Sequence, residues 1–297
     1  MSGMTDSSAL PAAGEASPAG TGFWRRARRH RAFMIGASLS GLMLASALVS
    51  LVWTPHSPTE IVVTAKLQPP SWQHWFGTDQ FGRDILSMIM AGAQTSIIVG
   101  LIAVGLGLVF GVALGLLAAA QRGWVEDLVM RLNDLTFAFP VILVAILITA
   151  GWGPGIVNAI LALGIFNVPI FARLVRGAAQ SMWAREFVLA ARTAGKGRFR
   201  ITMEHILPNV LSVIVVQATI SFAIAILAEA ALSYLGVGSQ PPEPSWGRML
   251  SESQNYIFLR PTIAIWPGLA IAFSVLGLNL MGDGLRDLLD PRLSRQR

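Results

Sequence analysis

Six long apolar stretches alternate with polar segments rich in Gly, Pro and charge, and this alternation sets the plan of the chain. The apolar stretches run over Phe33–Trp53, Gln94–Ala120, Thr136–Ala150, Ile156–Phe171, Val210–Leu235 and Thr262–Met281. A bilayer core is ~30 Å thick and takes ~20 apolar residues in helix to cross. One such run can be the buried helix of a soluble protein; six in succession predict an all-α, polytopic membrane protein with six transmembrane helices. The third and fourth stretches are short and flank the Gly151-Trp152-Gly153-Pro154-Gly155 turn, which leaves their ends poorly defined. Pro140 and Pro169 predict kinks in these two spans. The first 22 residues are small, polar and rich in Pro and Gly, the composition of a disordered segment. The run behind them is long enough to span and lacks a small-residue cleavage site, which predicts an uncleaved anchor. The organisation expected is a disordered tail with a basic anchor over 1–32, a first transmembrane helix over 33–53 and an outside segment over 54–93. A transmembrane core over 94–283 and a second tail over 284–297 complete it.

Composition sharpens this plan. Apolar residues make up 54% of the chain and charged ones 13%, against roughly a quarter charged in soluble domains. The net charge of +6 could suggest nucleic acid, but its distribution has a simpler cause. With the N-terminus inside, the inside segments hold 18 of the 22 Lys and Arg, and the outside loops only Lys66, Arg83, Arg248 and Arg260. Cationic side chains are retained on the cytoplasmic side, so both termini are predicted to be cytosolic. The Arg25–Arg31 cluster then meets anionic lipid rather than nucleic acid. Cysteine is absent, which excludes disulfides and thiolate metal sites. There is no phosphate-binding G-x-x-x-x-G-K-[ST] and no H-E-x-x-H. The four histidines, His30, His56, His74 and His205, are scattered over both sides, which predicts no metal site.

The polar insert Arg185–Asn209 carries the most specific pattern. Phe187, Ala190, Ala191 and Ala194 recur at i, i+3, i+4 and i+7, one helix face. A face of small residues lets another backbone approach closely, and Gly195 is placed to end the helix in the left-handed conformation. This insert resembles the EAA loop of ATP-binding-cassette (ABC) import permeases. Ala190, Ala191, Gly195 and Leu207-Pro208 match, Ile206 lies beside the expected isoleucine, and Leu189 stands where the pattern has glutamate. The resemblance implies a type I ABC importer permease fold with a coupling loop over 182–208. Its ATPase-coupling residues would be Arg185, Glu186, Phe187, Ala190, Ala191, Ala194 and Gly195.

The outside segment His74–Leu86 contains Gly77, Thr78, Asp79, Gly82, Arg83 and Asp84. These resemble the G-T-D-x-x-G-R-D signature of the C-type permease in the dipeptide/oligopeptide/nickel subgroup. Leu232–Leu250 and Trp266–Arg292 resemble the same subgroup's loop after the fifth span and its last span with exit. Four motifs in order cover nearly everything after Trp72. The resemblance implies a permease of the bacterial inner membrane, not itself an enzyme and without a cofactor of its own. Its expected partners are a second homologous permease, cytosolic ATPase subunits that bind ATP and Mg, and an extracytoplasmic solute-binding protein. Peptides are the implied substrate class, with nickel chelates, opines and glutathione as alternatives. A self-sufficient secondary transporter is the rival, and it would require inverted repeats or buried ionisable chains.

Two roles stay open at this level. The outside segments either cap the helix bundle or offer Asp79, Gln80, Arg83, Trp246 and Arg248 to the binding protein, since aromatics and Arg anchor interfaces. Glu229, inside the fifth apolar stretch, is either a structural hydrogen-bond centre or a lining residue of the pathway. The glycines at 100, 105, 107, 111 and 115 predict close helix packing in the second span.

Overall fold

The computed structural model describes residues 19–289, so the predicted disordered segment before residue 19 and the tail from residue 290 lie outside the described residues. Helix α1 (Ala19–Arg29) occupies part of the region expected to be a disordered tail. Its Arg and Ala residues are good helix formers, its Ala27 is buried, and the helix packs against α2 and α11. His30 is extended and caps α2 (Arg31–Ser50), with Nδ1 accepting the Phe33 N–H at 3.2 Å.

Helix α3 (Ile85–Gln121) has 37 residues, roughly 55 Å of helix, and starts well before the predicted Gln94. The early start has a local cause: Asp84 is its N-cap, accepting the Ser87 N–H at 2.9 Å. The outside segment predicted over 54–93 therefore ends in helix.

The third apolar stretch is not one helix. Helices α4 (Trp124–Phe137) and α5 (Val141–Trp152) meet at an 80° bend. Pro140, which has no N–H to donate, stands at the N-cap of α5 and separates the two helices instead of kinking one. Helix α6 (Ile156–Trp183) runs on through Pro169 and past the predicted end at Phe171. The coupling segment comprises α7 (Glu186–Thr193), α8 (Arg198–Ile201) and a π-helical turn, Thr202–Ile206, that feeds α9 (Leu207–Tyr234). Next come α10 (Trp246–Ser253) and α11 (Thr262–Leu289). Among the described residues five helices are long and apolar enough to cross a membrane, and the bent α4–α5 pair makes a sixth if it is counted as one span. Among the described residues no strand forms beyond one isolated bridge, Thr78 with Asp84.

Two glycine seams hold the bundle. On α3, a Cβ at Gly107 would run into Asn167, one at Gly111 into the Val168 carbonyl and Phe171, and one at Gly115 into the Ala172 carbonyl and Val175. These glycines, four residues apart, form one stripe against α6. Gly100 meets Phe222 of α9 instead, and Gly105 faces open space. The second seam joins α2 to α11, with Gly36 against Gly277 and Met281 and Gly284 against Phe33. Lipid tails are as apolar as the helices, so association rests on this close packing rather than on water exclusion. A buried cluster of Phe171, Val175, Trp183, Val188, Ile201, Ile206 and Val210 then ties the coupling segment to α6 and α9.

Candidate functional site

The coupling segment is a short helical hairpin with one face in the core and the other in solvent. Val188 and Ala191 are buried on the inner face. Phe187, Ala190 and Ala194 are exposed on the outer face, together with Leu189 and, on α8, Phe199 at 77% exposure. The four-residue stripe of the sequence is thus divided. Ala191, three residues after Val188 and so on the same side of the helix, is buried with it. The helix ends as expected. Gly195 has φ +78°, its N–H donates to the Arg192 carbonyl at 2.9 Å, and the Lys196 N–H donates to the Ala191 carbonyl at 3.1 Å. That pair of bonds is the Schellman arrangement, which satisfies carbonyls the helix leaves open. Arg185 is the extended N-cap residue and Glu186 lies in the first turn, both exposed. The connection to α9 is stiffened by charge. Glu204 accepts from Lys196 Nζ at 2.6 Å and from Arg200 Nε. Arg192 lies over the Trp183 ring at 5.1 Å from its centre.

The cap formed by the segment before α3 and by α10 behaves in the opposite way, because its signature residues are turned inward. Thr78 is fully buried; its hydroxyl accepts the Gln68 N–H at 2.9 Å and donates to the Ala65 carbonyl. Asp79, buried, accepts the Phe81 and Arg83 N–H groups at 2.8 Å and Arg83 Nε at 2.6 Å. Gly82 has φ +81°, and a Cβ there would strike the Val62 carbonyl of the strap that crosses the cap. Gln80 is 8% exposed and Trp246 2%, with the Trp246 indole N–H donating to the Ile89 carbonyl at 3.0 Å. Arg83 and Arg248 converge on Glu252, Arg248 Nε at 2.7 Å, and Arg248 also reaches the Ser239 carbonyl. Phe76 stacks on Trp266 at 4.0 Å, fastening the cap to the start of α11.

Asp79, Gln80, Arg83, Trp246 and Arg248, the residues expected to meet a binding protein, are thus engaged within the chain. Their polar atoms bond within the chain, and Asp79, Gln80 and Trp246 have almost no surface to offer. Glu229 is also held within the chain. It is 1% exposed and accepts hydrogen bonds from Ser233 at 2.7 Å, Ser245 at 2.8 Å and Ser96 at 3.4 Å. Through these bonds it joins α9, α3 and the lead-in to α10. Next to it Gly247 packs directly on the Ala230 carbonyl, where a Cβ has no room.

Residues 111–295 match the family described as binding-protein-dependent transport system inner membrane component, more than half of the chain. The chain belongs to this family. Residues 20–70 of the permease also match the family described as the N-terminal TM domain of oligopeptide transport permease C. The permease is 44% identical over 274 residues to the dipeptide transport system permease protein DppC of Alkalihalophilus pseudofirmus, covering 91% of this chain and 90% of the relative. It is 44% identical over 272 residues to the glutathione transport system permease protein GsiD of Escherichia coli O6:K15:H31, with the same coverage of both chains. Its fold matches two crystal forms of the inward-facing MetNI methionine ABC transporter, with TM-scores of 0.57 and 0.58 at 19% identity. Those matches span 68% of the permease and 97% of the MetNI chain. The type I ABC importer fold expected from the motifs is the fold observed.

Several residues of the permease's two surfaces carry no motif signal. Phe199 adds an aromatic to the hairpin's exposed face from a separate helix, and Glu252 gathers two arginines across the cap. The exposed apolar Leu189, noted only as a departure from the EAA pattern, extends that exposed face.

Proposed function

We propose that the permease is the C-type half of an ATP-driven importer of short peptides, and that α7 is where ATPase motion enters it. The observation that carries this is the outer face of the coupling hairpin. Phe187, Leu189, Ala190, Ala194 and Phe199 are exposed, while Val188 and Ala191 root the same hairpin in the core. An apolar face on a stiff, core-anchored lever fits a partner that pushes. In this reading a second homologous permease completes the pathway, and partner ATPases bind ATP and Mg. The lever works only if it binds the closed ATPase pair differently from the open pair, since equal affinity shifts no equilibrium. Both termini and α7 are cytosolic in this scheme. On the outside, the solute-binding protein meets the exposed Trp72, Trp75 and Phe258 rather than the buried signature residues. Dipeptides and glutathione, the substrates in the relatives' names, share amide-linked zwitterionic chemistry, which makes short peptides the substrate class.

The test is reconstitution in proteoliposomes with the partner permease, the ATPases and the binding protein from the same transport system. Labelled dipeptide or glutathione is expected to accumulate only with ATP and the binding protein present. An assembled complex that hydrolyses ATP but imports neither, or imports only nickel chelates, overturns the peptide assignment. Orientation is checked in intact cells, where the cysteine-free chain gives a clean background. An impermeant thiol reagent should label Ser57→Cys and spare Thr193→Cys; the reverse pattern overturns the topology.

A further inference from the structure

Two histidines that are far apart in sequence meet at one carboxylate on the outside cap. His74 Nδ1 lies 2.9 Å from Asp84 Oδ1, and His56 Nδ1 lies 3.7 Å from the same oxygen. The two rings face each other with centres 4.4 Å apart. We propose that His56, His74 and Asp84 form a binding site for a divalent transition-metal ion of the zinc class.

The donor set and its spacing both favour such an ion. Two imidazole nitrogens and one carboxylate oxygen suit zinc, nickel, copper or cobalt, whereas calcium and magnesium take oxygen ligands. Tetrahedral bonds of ~2.0–2.1 Å place neighbouring ligand atoms about 3.3 Å apart. The two observed nitrogen-to-oxygen separations bracket that value, and one ligand atom from each of the three residues falls within 4.8 Å of the others. Small side-chain adjustments bring all three onto one centre. The His56 side chain is 43% exposed, which leaves an entry path and room for a water in the fourth position.

The three ligands are held before any ion arrives. Asp84 Oδ2 accepts both the N–H and the hydroxyl of Ser87, at 2.9 and 2.7 Å, which fixes Oδ1 toward the histidines. Ser87 Oγ also accepts the His56 N–H at 3.0 Å, and the His56 carbonyl accepts the Thr54 hydroxyl at 2.7 Å. Pro55 and Pro58 stiffen the same strap. The His74 backbone is bound on both sides, its N–H to Ser71 Oγ at 3.1 Å and its carbonyl to the Ser71 and Gly77 N–H groups at 2.8 and 2.9 Å. Outer hydrogen bonds of this kind orient metal ligands. The ion would join three segments: the strap after α2, the turn at 71–77 and the first turn of α3. In a chain without cysteine, it is a cross-link that no disulfide can supply.

Full-length permease, purified without a histidine tag and dialysed against chelator, is titrated with Zn²⁺ by calorimetry and by thermal unfolding. One equivalent is expected to bind and raise the unfolding midpoint, reversibly with chelator. His56→Gln and His74→Gln are each expected to weaken binding by at least about tenfold. His56→Gln decides the matter, because its backbone hydrogen bonds remain and its side chain is partly exposed, so the fold survives. Wild-type protein that takes up no zinc overturns the proposal, leaving the cluster a hydrogen-bonded His–Asp pair. Zinc binding unchanged in His56→Gln overturns it as well.

Discussion

The cap before α3 and the hairpin of α7 and α8 both carry specific sequence signatures, yet their residues face opposite ways. In the cap, Thr78, Asp79 and Asp84 are buried, and each hydrogen-bonds to loop backbone or to a neighbouring side chain. In the hairpin, Phe187, Ala190 and Ala194 are exposed, Phe187 meeting the His205 ring only at its edge. The cap's signature is accounted for by the permease's own folding. The hairpin's signature is not, and the unfilled half of it points to a partner. A motif's specificity therefore says nothing about which way it faces; burial and hydrogen-bond satisfaction do.

The comparison can be broken most directly at Trp246. Trp246→Ala should cost about 3–5 kcal/mol, as for other buried aromatics, and should appear as a lower unfolding midpoint in detergent. If this variant kept wild-type stability and lost only its response to the binding protein, the cap would be a receptor surface after all. Ala191→Glu comes next. It should destabilise by about 2–3 kcal/mol by forcing a larger polar group into the cluster beneath α7. Normal stability with loss of ATPase co-purification would return Ala191 to the docking face. Asp79→Ala strips two backbone N–H groups and Arg83 of their acceptor, and should cost about 1–3 kcal/mol. Its ATP hydrolysis per folded complex should stay near wild type. Smallest in stability is Ala190→Glu, within about 0.5 kcal/mol as expected of an exposed site. This variant should nonetheless lose co-purifying ATPase, and retention of the ATPase at wild-type levels would detach α7 from coupling.

Much of the fold was legible along the chain because membranes impose a strong rule. Only helices satisfy the backbone across hydrocarbon without help, so long apolar runs had to be helices. The glycine series on α3 was legible for a similar reason: at 107, 111 and 115 the four-residue spacing places small residues on one face. What escaped was anything set by contacts distant in sequence. The 80° bend at Pro140 looked like a kink in one span, since proline alone cannot say whether the chain continues or turns. Helix α3 began early because one carboxylate, Asp84, caps it.

By itself, the sequence determined the helical class, the family and the place where the coupling helix stops, because span length, motif spacing and the left-handed preference at Gly195 are local properties. Only the tertiary structure decided that Ala191 packs inward while Ala190 stays free, that Glu229 is a three-serine hydrogen-bond centre, and that His56 and His74 share Asp84. Each of those facts depends on which distant segment arrives to exclude water or supply a partner, and no local pattern encodes that arrival.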